Sequence, residues 1–275
     1  MSPAPAAPDR TLWINGHLRR GEGLFETLRV YGGHPFGWLR HMERLVLSAA
    51  VLGFPVPASP VTLRGALDQL LAAEGLVDAV ARLTVTRGIP GGIVKRASRT
   101  GAWVEVEPLA ARLWRGTRTG AATVIVSRRP FEPGPLGCHK TTSRLAYHLA
   151  REEARAARAD ETLLVSPAGE VLEGAVSNVF AVTGGEVLTP PLASGILPGI
   201  TRAVVLGLCA AAGIPAREST LTLADLRAAD EVFLTNTVQE IVPVGTLQDL
   251  AIPGRSIAAT LLTADPCVIR RVPNL

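Results

Sequence analysis

The sequence predicts a mixed α/β (α+β) fold in two domains, because two different hydrophobic periodicities intermix along the whole chain. Short segments rich in β-branched and apolar residues end at Gly-containing turns, which is typical of β-strands. Longer segments repeat apolar residues at intervals of three and four, which is typical of amphipathic helices. The 275 residues exceed what one small core needs, so one large domain or two of ordinary size are expected.

A Pro/Ala-rich opening and one weakly periodic stretch divide the chain. MSPAPAAPDR predicts a flexible tail over residues 1–10. LAARLWRGTRTG has weak periodicity and several Gly and Thr residues, which predicts a connection over residues 109–120. We therefore expect a smaller α/β domain over residues 11–108 and a larger domain over residues 121–275.

The first half is predicted to begin with two strands, TLWING and GLFETLRVYGG, and to end with two more, ARLTVTRG and AWVEVEP. Two helices lie between these pairs. The first, WLRHMERLVLSAAVLGF, carries apolar residues at positions 39, 42, 45, 46, 49, 50 and 52, and Gly53 and Pro55 end it. The second is TLRGALDQLLAAEGL, with Thr62 as its N-cap.

The second half begins with the strand AATVIVS and a turn that contains Lys140. A helix over TTSRLAYHLAREEARAARA follows, and one face of it is predicted to pack against the core. That face consists of Leu145, Ala146, Leu149, Ala150 and Ala154. Short strands follow in ETLLVS, PAGEVLEG and VSNVFAVTGGEVLTP. The chain then continues with helices in GITRAVVLGLCAAAG and LTLADLRAA and with strands in EVFLTN and EIVPVGTL.

Composition argues against several classes of function. No apolar run reaches the roughly eighteen residues of a membrane span, and the first residues lack the apolar region of a signal peptide. Three scattered cysteines form neither a disulfide framework nor a CxxC pair, and the five histidines show no metal-ligand spacing. The net charge of +4 lies on dispersed arginines without a nucleic-acid motif. We therefore expect a cytoplasmic protein without a metal, nucleic acid or membrane partner, whose basic surface favours an anionic small molecule.

Lys140 stands out because the chain has almost no other lysine. GPLGCHKTTSRL contains Lys140, GGIVKRASRT contains Lys95, and the other 26 of the 28 basic residues are arginines. Arginine stays charged at any accessible pH, whereas lysine can lose its proton and become a nucleophilic amine. The hypothesis is that Lys140 is such an amine, which forms Schiff bases with carbonyl compounds. A surface ammonium, the interpretation that suits Lys95, is the alternative.

Three further segments could carry chemistry. In GEVLEG, Glu170 and Glu173 are three residues apart, so on a strand they point to opposite faces and one of them points inward. In GILPGITRAVV, a Gly-containing turn enters a helix and leaves backbone N–H groups free for an anion, with Thr201 nearby. In FLTNTVQEIVPV, hydroxyl and amide groups at a strand end could also reach a phosphate. Each segment also has a plain structural interpretation, as surface acids, a helix start or a polar strand end.

Six segments, taken together and in order, resemble the class IV, or fold-type IV, pyridoxal-phosphate aminotransferase family, which includes branched-chain and D-amino acid aminotransferases and 4-amino-4-deoxychorismate lyase. They are GLFETLRVYGG, HMERL, the Lys140 turn, ADETLLVSPAGEVLEGAVSNVF, TPPLASGILPGITR and ADEVFLTNTVQEIVPV, within residues 11–247. The resemblance implies the two-domain fold of the D-amino acid aminotransferases and pyridoxal 5'-phosphate as cofactor. One departure is INGHLRRGEGLFE, which is shorter than the family's segment around GDGxFE and has Glu22 in place of its acid.

The resemblance implies a complete cofactor site when it is carried over residue by residue. Lys140 resembles the Schiff-base lysine, and Glu173 resembles the carboxylate at the pyridine nitrogen. Arg44 of HMERL resembles the phosphate-binding arginine. Leu197 resembles the residue that packs on the cofactor ring. The other implied contacts are Asn178, Ile200, Thr201 and Thr237.

The residues after Lys140 differ among members of the family. Branched-chain enzymes typically place a tyrosine five positions after the lysine, where this chain has Leu145, and K-x-x-x-R-L instead resembles the aminodeoxychorismate lyases. VTRGIPGG is similar to a stretch of the lyases, but VTRG also occurs in D-amino acid aminotransferases. The resemblance thus favours a lyase of folate biosynthesis that forms 4-aminobenzoate and pyruvate. A branched-chain or D-amino acid aminotransferase is the alternative, and a cofactor-binding paralogue without turnover is a third.

The substrate pocket is less defined by the sequence, since loop residues line it. Phe25, Arg87 and Arg144 are candidates for substrate contacts, the two arginines for a carboxylate. The family builds its active site at a dimer interface between two domains, so the resemblance also implies a homodimer.

Overall fold

The computed structural model describes residues 21–53, 56–87, 100–114 and 120–263 of the chain. The predicted strand TLWING, the N-terminal tail and the segment around Lys95 lie outside these ranges. Within them, helices and strands intermix, so the predicted mixed α/β class is confirmed. None of the helices in these ranges is both long enough and apolar enough to cross a membrane.

The first half of the chain folds into a four-stranded antiparallel sheet. Its strands are β1 (Gly23–Tyr31), β2 (His34–Pro35), β3 (Ala79–Thr86) and β4 (Gly101–Pro108). Their spatial order is β2–β1–β3–β4, so β1 and β3 are the central strands. β1 is buried along nearly its whole length, as its run of apolar and β-branched residues predicts.

The second half folds into a ten-stranded mixed sheet. Its strands are β5 (Ala122–Val126), β6 (Glu161–Val165), β7 (Glu170–Gly174), β8 (Asn178–Thr183), β9 (Glu186–Thr189), β10 (Ala216–Glu218), β11 (Leu221–Thr222), β12 (Glu231–Asn236), β13 (Glu240–Leu247) and β14 (Leu250–Ala251). Nine of them follow the order β10–β9–β8–β12–β13–β5–β6–β7–β11, and β14 pairs with β13. The short strands β10, β11 and β14 were not predicted, because two or three residues carry no readable alternation.

Six helices lie within the described ranges. They are α1 (Trp38–Val51), α2 (Pro60–Ala73), α3 (Leu145–Ala156), α4 (Ile200–Ala211), α5 (Leu223–Ala228) and α6 (Ser256–Thr263). The N-cap of α2 is Ser59 and not Thr62, as its Oγ accepts a hydrogen bond from the Thr62 N–H at 3.1 Å. Pro60 lies in the first turn of α2, where a backbone N–H has no acceptor within the helix, so the lack of an N–H in proline costs no helical hydrogen bond. α6 was not predicted from the sequence.

The buried face of α1 differs from the predicted one. Positions 42, 45 and 49 are buried as predicted, but Leu39 and Val46 are exposed. Two polar side chains, His41 and Ser48, are buried instead. Both have hydrogen-bond partners on other elements, and apolar periodicity cannot register such polar burial.

The buried face of α3 is also rotated from the prediction. Ala150 and Ala154 are buried, but Leu145 is 72% exposed and Leu149 is exposed as well. Tyr147 is buried in their place, and its ring packs edge-to-face on Phe131 with the centroids 4.9 Å apart. The large aromatic ring, rather than the leucines, therefore sets the orientation of this helix.

Candidate active site

A cavity of about 460 Å³ is lined by residues from both sheets and from the segments between them. The predicted site residues that line it are Phe25, Arg44, Lys140, Arg144, Glu173, Asn178, Leu197, Ile200, Thr201 and Thr237. Arg87 does not line the cavity. Its side chain is exposed, and its backbone N–H donates to the carbonyl of Glu22, so its position gives no support to the predicted contact with substrate. The expected connection instead contributes lining residues, from Ala111 to Trp114.

Backbone pairing with β1 fixes Lys140 at the cavity. The N–H of Phe25 donates to the Lys140 carbonyl at 2.9 Å, and the N–H of Thr142 donates to the Gly23 carbonyl at 2.8 Å. The Lys140 Nζ lies 4.7 Å from the centroid of the Phe25 ring. The amine is therefore presented by a short strand-like segment whose position depends on residues more than a hundred positions earlier in the chain.

The environment of Lys140 favours the neutral amine. Burial lowers its pKa to about 7, and the guanidiniums of Arg144 and Arg44 act in the same direction, against the carboxylates of Glu26 and Glu173. A lysine with a pKa near 7 has a large unprotonated fraction at neutral pH, and that fraction is the nucleophile. This is the property for which an arginine could not substitute.

Glu173 is the buried acid of the GEVLEG segment. Its Oε2 accepts hydrogen bonds from the Leu197 N–H at 3.1 Å and from the Asn178 amide at 3.5 Å, and its Oε1 accepts one from the Tyr147 hydroxyl at 3.1 Å. Burial raises its pKa to about 7, against the opposing effects of Arg144, of the bonds from Leu197 and Tyr147, and of Lys140. Glu170 is only half-buried and does not line the cavity. A carboxyl held in this way can share a proton with a basic ring nitrogen.

Tyr147 connects Glu173 with Arg144, and the sequence did not predict it as part of the site. Besides its bond to Glu173, its ring lies under the Arg144 guanidinium, with Cζ 3.6 Å from the ring centroid. Burial raises the pKa of the Tyr147 hydroxyl, so it remains a donor to the carboxylate. No spacing in the sequence signalled this, because Lys140 lies outside the helix that carries Tyr147.

Arg44 is held by a buried acid. Its Nε and Nη2 donate to the two carboxylate oxygens of Glu26 at 2.9 and 2.6 Å, and its Nη1 donates to the Pro198 carbonyl at 2.8 Å. His41 Nδ1 lies 2.7 Å from the same carboxylate. Burial alone would raise the pKa of Glu26, but Arg44 and His41 lower it to about 2. Glu26 therefore stays ionised and fixes the Arg44 guanidinium; the Phe-Glu pair in GLFETLRVYGG was its sequence signal.

The start of α4 and the turn before β13 form a cradle for an anion. Gly199 is the N-cap without a side-chain bond, so the first N–H groups of α4 have no capping side chain. Thr201 Oγ1 and Thr235 Oγ1 are buried and have no hydrogen-bond partner among the described residues. Asn236 shapes the turn that carries Thr237, since its Oδ1 accepts from the N–H groups of residues 238 and 239 at 2.9 and 2.7 Å. Hydroxyls without partners beside a helix start fit the oxygens of a phosphate group.

These observations satisfy the needs of pyridoxal 5'-phosphate. Lys140 would offer an amine to its aldehyde, Glu173 a carboxyl to its ring nitrogen, and the α4 cradle with Arg44 a site for its phosphate. The buried Thr201 hydroxyl, which has no partner among the described residues, is the observation that argues most directly for a phosphate ligand. The residues present therefore fit this cofactor.

The close approach of Gly199 to Asn178 yields a test of the cradle. A Cβ added at Gly199 would lie 1.9 Å from Asn178 Oδ1, whereas one added at Gly207 in the same helix would meet nothing within 4 Å. We expect Gly199→Ala to weaken pyridoxal phosphate binding by about tenfold or more, a loss of at least 1.4 kcal/mol. Gly207→Ala should bind as the wild type does. Absorbance titration of the cofactor-free proteins measures both, and equal affinities would show that the α4 start does not hold the phosphate.

One wall of the cavity is rich in arginine. Its basic residues are Arg82, Arg112, Arg144, Arg151 and Arg155, together with His148. Among the described lining residues, Glu173 is the single carboxylic acid. Part of the arginine charge is balanced by acids that do not line the cavity, since Arg112 pairs with Glu107 at 3.3 Å and Arg155 pairs with Glu152. The cavity as a whole nevertheless favours an anionic ligand.

The chain is similar to known proteins over most of its length. Residues 23–247 match the family model described as amino-transferase class IV. The chain is 36% identical over 243 residues to a protein of Methanocaldococcus jannaschii named provisionally as a branched-chain-amino-acid aminotransferase, with 87% of this chain and 83% of that protein covered. It is 34% identical over 236 residues to the D-alanine aminotransferase of Listeria innocua, with 82% and 78% covered.

A solved structure extends the similarity to a third activity. It is a protein of Legionella pneumophila named provisionally as a 4-amino-4-deoxychorismate lyase, with a TM-score of 0.83 and 27% identity. The match covers 96% of this chain and 95% of that one. The comparisons therefore include proteins named as aminotransferases and one named provisionally as a lyase.

Proposed function

Because the chain belongs to the class IV aminotransferase family, whose members depend on pyridoxal phosphate, we propose that it is a lyase that converts 4-amino-4-deoxychorismate to 4-aminobenzoate and pyruvate. The observation that carries the proposal is the arginine-rich wall of the cavity. That substrate has two carboxylates and a ring amine, whereas a branched-chain amino acid or D-alanine has one carboxylate and an apolar side chain. A wall with five arginines matches the first kind of substrate better.

Two further observations support the lyase. The segment KTTSRL after Lys140 resembles the lyases, and the structural similarity includes a protein named provisionally for this activity. The family membership and the intact pair of Lys140 and Glu173 argue against a paralogue without turnover.

The alternative is an aminotransferase acting on branched-chain or D-amino acids. The proteins named for those activities in the comparisons favour it, and so do the apolar residues on part of the cavity wall, such as Leu113 and Trp114. An apolar side chain could pack there while one arginine binds the carboxylate.

In the proposed reaction, the bound cofactor supplies an electron sink for the bond that breaks at the substrate carbon. Arg44, Thr201 and Thr237 would bind its phosphate, and Glu173 would hold the proton on its ring nitrogen. Lys140, with a pKa of about 7, can take the C4 proton of the substrate ring and return a proton to the departing enolpyruvyl group. Loss of that group as pyruvate leaves an aromatic ring, so the protein needs to supply orientation and proton transfer.

Product analysis tests the proposal. We expect steady formation of 4-aminobenzoate and pyruvate in equal amounts from aminodeoxychorismate, with no keto acid added, measured by chromatography and a pyruvate-coupled assay. An aminotransferase would instead need both an amino acid and a keto acid for continued turnover. If aminodeoxychorismate is left untouched while D- or L-amino acids react only with a keto acid present, the aminotransferase alternative is correct.

The assembly and location follow the family resemblance as proposals. We propose a cytoplasmic homodimer, with each active site near the interface. Light scattering after size-exclusion chromatography tests this assembly, and a mass equal to one 28.9 kDa chain would contradict it.

A further inference from the structure

Helix α3 presents a stripe of basic residues to the cavity. Arg144 precedes the first turn, and His148, Arg151 and Arg155 follow at intervals of four, three and four residues. These intervals place side chains on one face of a helix. All four line the cavity, and we call them the basic stripe.

Only the exposed end of the basic stripe is paired with an acid of its own helix. Of the two acids of α3, Glu153 bonds Arg129 and the Arg128 N–H, away from the stripe, and Glu152 pairs with Arg155 at the exposed end. Like charges three or four residues apart destabilise a helix. Burial and the guanidiniums of Arg151 and Arg144 lower the pKa of His148, because these charges converge around it. A solvated helix face would be expected to carry alternating signs instead.

The stripe runs from the reaction centre, at Arg144, to an exposed end at Arg155. Arg144 stacks on Tyr147, which bonds Glu173. With a rise of about 1.5 Å per residue, Arg151 lies about 10 Å along the helix axis from Arg144, and His148 lies between them. Two arginines at this separation can bind two anionic groups of one ligand, since each side chain can reach several ångströms toward the other.

We propose that the basic stripe is the recognition surface for a substrate with two carboxylates. Arg144 binds the carboxylate nearer Lys140, and Arg151 with His148 binds the farther one. This inference rests on the proposed function only for the identity of the substrate. The basic stripe would favour any amine with two suitably spaced carboxylates over an amine with one.

Equilibrium binding of unreactive acids tests the stripe without turnover. The probes are isophthalate, with two carboxylates, and benzoate, with one, titrated calorimetrically into the holoenzyme. We expect isophthalate to bind about tenfold or more tightly than benzoate in the wild type, as one additional charge-assisted contact provides. Arg151→Gln should remove most of this preference by weakening isophthalate alone, and Arg151→Lys should restore part of it.

Arg158→Gln is the matched control, since it removes the same charge from an exposed position just beyond α3 that does not line the cavity. It should keep the wild-type preference. Equal binding of the two acids by the wild type would overturn the inference, and so would an equal loss in Arg151→Gln and Arg158→Gln. A preserved preference for isophthalate in an enzyme that does not form 4-aminobenzoate would support the stripe and overturn only the proposed lyase activity.

Discussion

Lys140→Met is expected to lower turnover by at least about 10³-fold, because methionine fills a similar volume but has neither a nucleophilic amine nor a base. The rate of 4-aminobenzoate formation, or of amino-group transfer if the alternative holds, measures the loss. Borohydride reduction of the wild-type holoenzyme, followed by peptide mapping, should place the cofactor on Lys140. Cofactor on Lys95, or substantial activity in Lys140→Met, would show that another amine reacts.

The stability of the same variant separates lost chemistry from lost folding. The Lys140 pKa falls from 10.5 to about 7 in the folded protein. Between these values the unfolded chain binds a proton that the folded chain does not, so the free energy of unfolding of the wild type rises with pH in this window. Burial of the charged Lys140 ammonium therefore costs the folded protein free energy. This cost is complete at and below about pH 7 and absent above pH 10.5.

Methionine has no such penalty. We therefore expect the cofactor-free Lys140→Met protein to melt at a temperature higher by about 5 °C at pH 7. The difference from the wild type should shrink as the pH approaches 10. Scanning calorimetry at several pH values measures it, and a variant that is less stable than the wild type at pH 7 would contradict the low pKa of Lys140.

Glu173→Gln is expected to lower turnover by about 10²- to 10³-fold while the cofactor stays bound. Glutamine can still meet Leu197 and Tyr147, but it carries no charge to hold a proton on the cofactor ring nitrogen. Without that proton the ring is a poor electron sink. Steady-state rates, with cofactor content read from absorbance, measure the effect.

Glu170→Gln is the control for this change, because Glu170 lies on the same strand, is half-buried and does not line the cavity. It should retain nearly the wild-type rate. Similar losses in Glu170→Gln and Glu173→Gln would mean that the strand, and not the Glu173 carboxylate, is responsible.

The sequence predicted much of the fold because local patterns have local causes. Alternating and helical periodicities identified the long strands and helices, and Lys140, one of only two lysines, indicated an amine. The patterns failed where burial is polar or aromatic. His41 is buried by its bond to Glu26, and Tyr147 by its packing on Phe131, and neither contact can be read from apolar spacing.

The sequence by itself determined which chemical groups the protein has and their order along the chain, from Arg44 through Lys140 and Glu173 to Thr237. Only the tertiary structure decided what those groups can do. It brings Arg44 to the carbonyl of Pro198, 154 residues away, and it gathers arginines of α3 and β3 on one wall while Arg87 stays outside. The physical reason is that a pKa, an ion pair or an anion site depends on distances and burial, which long-range packing sets and local sequence does not contain.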